Sequence, residues 1–395
     1  MMASRQRRDG LRIAMIGQKG VPATFGGIER HVEELGSRMA EQGHDITVFC
    51  RTSYGDGHLQ RYRGMRLVEL PTVGTKHLDA IVHSALATVV AMRDDFDILH
   101  YHAIGPGSLA VLPRFASRAK VVLTLHGLDD ERAKWGRMAK TLLRTAGWVS
   151  ARAPDAIIAV SRDLQRHYRD VRGRETLYIP NGVRTPEPGP AGPVLGRLGL
   201  ETGGYLLFVG RLVPEKAPDL LVRAFRRLPG DQRLVLVGGS SFTNDYTERL
   251  RALAAKDDRI VLTGYLFGAE LGVLYQNAAA FVLPSMLEGL PLTLLEAAAY
   301  GTPIVASAIP PHVEVLGESR PGGRLADPGD EQALVRVLSQ VLADPETERR
   351  GAAALRDRVR QAYSWDGAAA ATEQVYRFLL AGSDIRNQKG NLASA

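Results

Sequence analysis

Two carboxylates, Glu288 and Glu296, stand eight positions apart inside the stretch from Pro284 to Ser307, PSMLEGLPLTLLEAAAYGTPIVAS. The stretch reads as loop, helix, turn and strand. Pro291 suits a first helical turn, where its missing N–H would have no partner in any case. Leu292 to Tyr300 are good helix formers, Gly301 and Pro303 stop the helix, and Ile304 to Ala306 form a short buried strand. The free N–H groups at the helix start, with the helix dipole behind them, suit an anion, typically a phosphate. Gly289, Leu290, Leu292 and Thr293 lie along that rim. Glu288 stands just ahead of it and Glu296 about one and a half turns inside the helix. The layout offers carboxylates to hydroxyl groups on either side of a phosphate.

Other residues fit the same chemistry. Arg211 and Lys216 lie five apart on a loop that follows the apolar strand Tyr205–Val209. A guanidinium fork and an ammonium point charge on such a loop can clamp a diphosphate. Gly26 and Gly27 precede a helix predicted from Ile28 to Gln42 and let backbone come close to a diphosphate or a sugar. His126 follows the strand Val121–Leu125, at the carboxyl end where catalytic groups of α/β sheets collect. His100 and His102 share one face of another strand, but no third ligand is evident beside them, and strand-end hydrogen bonding is the expectation; no metal site is expected. Asp95 and Asp97 precede that strand, at the wrong end for a ligand in a parallel sheet.

These residues need strands and helices in alternation to position them. Leu11–Ile16, a glycine loop, a helix with Val32, Leu35 and Met39 at helical spacing, and His44–Cys50 make a βαβ unit of a parallel sheet. Its glycines do not spell G-x-G-x-x-G. A second series of strands begins at Tyr205 and runs through Leu234–Val237, Ile260–Leu262 and Ala280–Leu283. The 395 residues suffice for two domains with separate cores. The Pro- and Gly-rich Thr185–Pro193 reads as their boundary. The expected division is 1–185, 186–363, a returning helix at 364–381 and a disordered tail at 382–395.

Composition excludes several classes. Cys50 is the single cysteine, so neither an intramolecular disulfide nor a cysteine metal cage is available, which suits a reducing cytosol. The apolar run Ile13–Ile16 is too short for a signal core, and nothing approaches the roughly 18–20 apolar residues of a membrane span. Residues 1–185 hold 28 Lys and Arg against 19 Asp and Glu, so the net charge of +7 is concentrated in the first half. A basic half points to an anionic partner. No nucleic-acid module accompanies it, so an anionic membrane surface or a lipid diphosphate is the expected one. Lys134, Arg137, Lys140 and Arg144 form a basic helical face that suits either solvent or such a surface.

The whole string around Glu288 closely resembles the signature of retaining glycosyltransferases of the GT-B fold, in the large family 4-like group with many bacterial polysaccharide transferases. The commoner signature reads E-G-F-G-L-P-x-L-E; here E-G-L-P-L-T-L-L-E brings the proline earlier. GxKGxPAxxGGxE, from Gly17 to Glu29, resembles the opening of a rhamnosyltransferase-like subgroup and includes Lys19 and Glu29. The resemblance implies two Rossmann-like α/β domains facing across a cleft. It also implies a nucleoside-diphosphate sugar donor, a hydroxyl acceptor and retention at the anomeric carbon. No metal or other cofactor is expected, because Arg211, Lys216 and the helix N–H groups can stabilise the departing diphosphate, and the basic first half suits a lipid-linked acceptor. Glu288 would meet the donor sugar and Glu296 the ribose, with His126 beside the transferred sugar. Arg211 and Lys216 would clamp the diphosphate, and the turns at Gly238 and Tyr265 would flank the base. The alternatives are a sugar-nucleotide epimerase of the same fold and a non-catalytic nucleotide-sugar binder.

Overall fold

The computed structural model describes residues 10–24, 26–54, 59–72, 79–128, 137–184, 190, 192–239 and 244–382. The chain divides into two compact units, Met1–Asn181 with Trp365–Ala395, and Gly182–Ser364.

The first unit is built on an eight-stranded sheet. Its strands are β1 (Arg12–Ile16), β2 (Asp45–Arg51), β3 (Arg61–Tyr62), β4 (Met65–Leu70), β5 (Ile98–His102), β6 (Lys120–Leu125), β7 (Ala156–Ala159) and β8 (Leu177–Tyr178). The order is β3-β4-β2-β1-β5-β6-β7-β8, parallel except where β3 meets β4. Ile13 of β1 pairs with Ile46 on one side and Ile98 on the other. The second unit holds β9 (Tyr205–Val209), β10 (Arg233–Val237), β11 (Ile260–Gly264), β12 (Ala280–Leu283), β13 (Ile304–Ser307) and β14 (Gly323–Ala326). They form a wholly parallel sheet in the order β11-β10-β9-β12-β13-β14.

Central parallel strands are covered on both faces, so they read as unbroken apolar runs rather than alternating ones. Ile13 to Ile16 and Tyr205 to Phe208 are fully buried. Helices lie between the strands, giving two doubly wound α/β units. Among the described residues no helix is long and apolar enough to cross a membrane.

Local signals set most element ends. The helix after β1 runs Gly27–Glu41, one residue ahead of the expectation, and starts from Gly26 in a positive-φ conformation. Leu292–Tyr300 is helical and stops at Gly301, which is left-handed as a C-terminal glycine should be. Pro291 is the N-cap rather than the first helical residue, because its ψ of 111° is still extended. Asp330 caps Glu331–Ala343 by accepting from the Ala333 N–H at 2.9 Å. Pro345–Ala362, which the sequence reading did not single out, follows as a long polar helix.

The second unit starts at Gly182, before the Pro- and Gly-rich stretch. The Val183 N–H donates to Tyr363 O at 3.0 Å and Val183 bridges Ser364, which ties the unit's two ends together. Residues 185–189 and 191 lie outside the described residues, and Gly192 opens a short helix, Gly192–Leu198. The last helix, Trp365–Leu380, packs in the first unit against Gly27–Glu41, where Arg38 Nε donates to Asp366 at 2.6 Å.

Candidate active site

In the second sheet the strand order reverses between β9 and β12, and ligands of open α/β sheets bind beyond the carboxyl ends at such a point. Those ends carry the Gly210–Lys216 loop and the Pro284–Pro291 loop, joined by a 2.8 Å bond from the Met286 N–H to Glu215 O. Lys216 Nζ donates to Glu288 Oε1 at 2.5 Å, and Ser285 Oγ donates to the same oxygen at 2.7 Å. Burial pushes the Glu288 carboxyl upward, but Lys216 and the hydrogen bonds outweigh it and hold the group below the usual carboxylate range. The fold thus brings two of the expected residues into one ion pair that is mostly shielded from solvent.

His312 backs this pair. Its Nδ1–H donates to Ser307 O at 2.8 Å, and Ser307 Oγ donates to Ser285 O. Burial lowers the His312 pKa to about 4 despite the Glu288 charge, so the ring is neutral at pH 7. Sequence reasoning missed His312 and Ser285. His312 belongs to no spaced motif, and only strand pairing brings β13 and the residues after it beside Glu288; Ser285 lies within the Pro284–Ser307 stretch but has nothing in its spacing to mark it.

The start of the Leu292–Tyr300 helix is open. Pro291 has no N–H, and no side chain caps the turn. Gly289 and Leu290 are buried and Leu292 is partly exposed. The Thr293 hydroxyl is buried with no hydrogen-bond partner among the described residues. A buried unpartnered hydroxyl in a natural protein points to a missing ligand or water. Glu296 lies deeper, where Tyr275 Oη donates to its Oε2 at 3.1 Å and the Tyr275 ring stacks on Tyr300.

The turns after β9, β10 and β11 are laced together. The Leu212 N–H donates to Gly239 O at 3.0 Å and the Gly238 N–H to Gly264 O at 2.8 Å. Gly238 has φ +142°, and a Cβ there would lie 1.9 Å from Gly210 O. Close backbone packing therefore requires a glycine at this position. Tyr265 lies over Gly239 and stacks on Phe267 at 5.9 Å, leaving an exposed aromatic face. Burial raises the Tyr265 phenol, and the nearby Arg211 charge opposes the rise.

In the first sheet the order reverses between β1 and β5. The loop leaving β1 is tethered by acids of the following helix: Glu29 Oε1 accepts from the Lys19 N–H at 3.0 Å and Glu33 from the Ala23 N–H at 2.6 Å. This supplies the structural role of Glu29 that spacing alone did not reveal. It also accounts for Gly26, where a Cβ would lie 2.0 Å from Glu29 Oε2. Gly27 is the first helical residue.

Four histidines gather at the same end. His100 Nδ1 lies 2.6 Å from Tyr376 Oη and its Nε2 2.7 Å from Thr124 Oγ1. His102 Nδ1 lies 3.2 Å from His126 Nε2. His31, on the Gly27–Glu41 helix, stacks edge-on against His126 at 4.6 Å, and its Nδ1 meets Asn181 Oδ1 at 2.8 Å. Burial lowers His31 to about 4 and His100, His102 and His126 well below the ordinary value, so all four are neutral at pH 7. The sequence showed no third ligand beside His100 and His102. The fold supplies His31 and His126, and one ligand atom each from His31, His102 and His126 lie within 4.8 Å of one another. At the opposite end of β5, Asp97 accepts from the Arg12 N–H at 2.8 Å, a structural role. Lys134 and the side chains of Arg137, Lys140 and Arg144 lie outside the described residues.

Residues 25–187 match the family model described as Glycosyltransferase Family 4, and residues 197–358 match that described as Glycosyl transferases group 1. A D-inositol 3-phosphate glycosyltransferase of Xylanimonas cellulosilytica is 30% identical over 405 residues, covering 93% of this chain and 96% of that protein. Among solved structures, sucrose-phosphate synthase from Thermosynechococcus elongatus superposes with a TM-score of 0.84 at 24% identity, covering 94% of this chain and all of that one (100%). HepE from Anabaena, in complex with UDP-glucose, gives 0.77 at 19% identity over 94% of this chain and 100% of its own.

Proposed function

The chain belongs to the family 4-like glycosyltransferases of the GT-B fold, and we propose that it transfers a sugar from a nucleoside diphosphate to a hydroxyl acceptor with retention. One observation carries the donor site: the open helix start at Pro291–Thr293, with its unpartnered buried hydroxyl, beside the Lys216–Glu288 pair. The HepE complex with UDP-glucose supports a donor of this class on the same fold.

In this reading the helix N–H groups and Thr293 receive the diphosphate, Arg211 and Lys216 neutralise its charge, and Glu288 orders the sugar hydroxyls. Glu296 takes the ribose, and Tyr265 with the Gly238 turn borders the base. His126 offers a ring nitrogen to the transferred sugar. The bond from the anomeric carbon to the diphosphate oxygen breaks as the acceptor oxygen bonds to the same face of that carbon. The acceptor proton passes to the departing phosphate. Fixed cations aimed at the developing charge stabilise this step in the way of an oxyanion hole. They supply what a bridging divalent ion would otherwise supply, so the donor reaction runs without one. Cell-surface polysaccharide or glycoconjugate synthesis at the cytoplasmic membrane face, with a lipid-linked acceptor, fits the basic first half. A rhamnose-type donor fits the Gly17–Glu29 string.

The test is melting temperature against UDP, dTDP, GDP, ADP and NAD, all in EDTA. A rise with one nucleoside diphosphate, expected for a ligand that binds only the native state, supports the donor site and selects the base. A rise with NAD alone, or none, overturns it. Turnover of the matching sugar nucleotide with an added acceptor then separates transfer, which releases the nucleoside diphosphate, from epimerisation, which does not.

A further inference from the structure

We propose that His31, His102 and His126 form a binding site for a zinc-class transition metal ion, with a fourth position open. The inference stands on the first unit alone; it uses His126 Nε2 and leaves Nδ1 for the sugar contact proposed above.

Distances support it first. His102 Nδ1 and His126 Nε2 are 3.2 Å apart. Two nitrogens bound at about 2.0–2.1 Å to one tetrahedral ion would stand about 3.3–3.4 Å apart. The third nitrogen belongs to the same cluster, all within 4.8 Å.

Proton placement supports it next. His31 Nδ1 faces the Asn181 amide oxygen, which can only accept, so Nδ1 carries the proton and Nε2 the lone pair. That Nε2 is buried and has no hydrogen-bond partner among the described residues. His102 Nε2 stands 3.4 Å from Met15 Sδ, a thioether with no proton to give, so His102 Nδ1 also carries a lone pair. Two rings are thereby held by their far nitrogens with lone pairs turned toward the cluster. Metal-binding histidines are usually fixed in this way by outer partners. In the metal-free protein His126 Nε2–H donates to His102 Nδ1; on binding, that proton moves to His126 Nδ1, the ring stays neutral, and a metal bond replaces the hydrogen bond.

Ligand chemistry selects the ion. Three imidazoles without a carboxylate suit zinc, cobalt, nickel or copper rather than magnesium or calcium. Three protein ligands leave the fourth position of a tetrahedral ion for water or an added ligand. His126 is the part-exposed member of the three.

The experiment titrates the full-length, chelator-stripped protein with Co²⁺, reading visible absorption and the ring-nitrogen NMR signals of the histidines, followed by displacement with Zn²⁺. One equivalent should give the intense bands of a tetrahedral site, shift three histidine rings together and be displaced by zinc. Asn181→Ala, which removes the orienting partner of His31, should weaken binding about 10–100-fold, and His31→Gln should weaken it at least as much. Circular dichroism first establishes that each variant is folded. A pale octahedral spectrum, scattered weak sites, or unchanged affinity in a folded His31→Gln protein overturns the proposal. If neither variant folds, the stoichiometry and the three ring shifts of the wild type decide.

Discussion

Replacing Lys216 by Met removes the largest charge that holds the Glu288 carboxylate ionised. The Glu288 side chain is 9% exposed and that of Lys216 15%, so solvent screens the pair weakly. Removing one partner of a buried pair typically costs about 3–5 kcal/mol, because the other charge is stranded. The second unit spans residues 182–364, a size at which each kcal/mol moves the melting temperature by about 2–4 °C. The expected drop for Lys216→Met at pH 7 is therefore about 6–20 °C. Adding Glu288→Gln removes the stranded charge while keeping the Ser285 contact. The double variant should regain about 2–3 kcal/mol, a coupling that a double-mutant cycle measures directly. With the ammonium gone, burial leaves the Glu288 pKa raised. Its folded form then gains protons more readily than the unfolded one, so the deficit of Lys216→Met should shrink as pH falls from 7 to 5. Scanning calorimetry at both pH values on the four proteins reads all of this. A single variant within about 1 kcal/mol of wild type, or a double variant no better than the single, would refute the buried-pair reasoning.

Thr293→Val should leave the free protein as stable or more stable by about 1 kcal/mol, because it deletes a buried hydroxyl without a partner. It should also weaken binding of the cognate nucleoside diphosphate; a destabilised variant with normal nucleotide affinity would mean the hydroxyl is satisfied within the fold. Gly238→Ala places a methyl 1.9 Å from Gly210 O at φ +142°, and a loss above about 2 kcal/mol is expected; urea unfolding at wild-type values would contradict it. His31 and His312, one in each unit, have pKa values of about 4 against 6.5 for free histidine. Between those values the unfolded chain binds protons that the native one refuses, so stability must fall with falling pH. The loss is about 3 kcal/mol per ring across that window in EDTA, and urea midpoints that stay flat from pH 6.5 to 4.5 would show the rings to be solvated. Arg211→Ala should cut turnover strongly with the circular dichroism unchanged, and near-normal rates would remove it from the clamp.

Much of the second unit's site could be read from the chain because it is local. The loop, helix and strand from Pro284 to Ser307 follow from Pro291, a run of helix formers, Gly301 and Pro303, whose preferences act over a few residues. The parallel strands could be read for a similar reason: burial on both faces leaves an unbroken apolar run. Arg211 and Lys216 were found as strand-end cations, and their loop does end a central strand.

Only the tertiary structure decided which distant groups meet. Lys216 pairs with Glu288 because β9 and β12 are neighbours, although 72 positions separate the two residues. His31, His102 and His126 converge because β1 lies between β2 and β5, and β5 beside β6. Asn181 then arrives from 150 residues away to hold His31. Strand order depends on the packing of whole helices over the sheet, not on the propensity of any segment. Two histidines on one strand could therefore be read only as strand-end hydrogen-bonding groups, while the fold gathers His31 and His126 around His102.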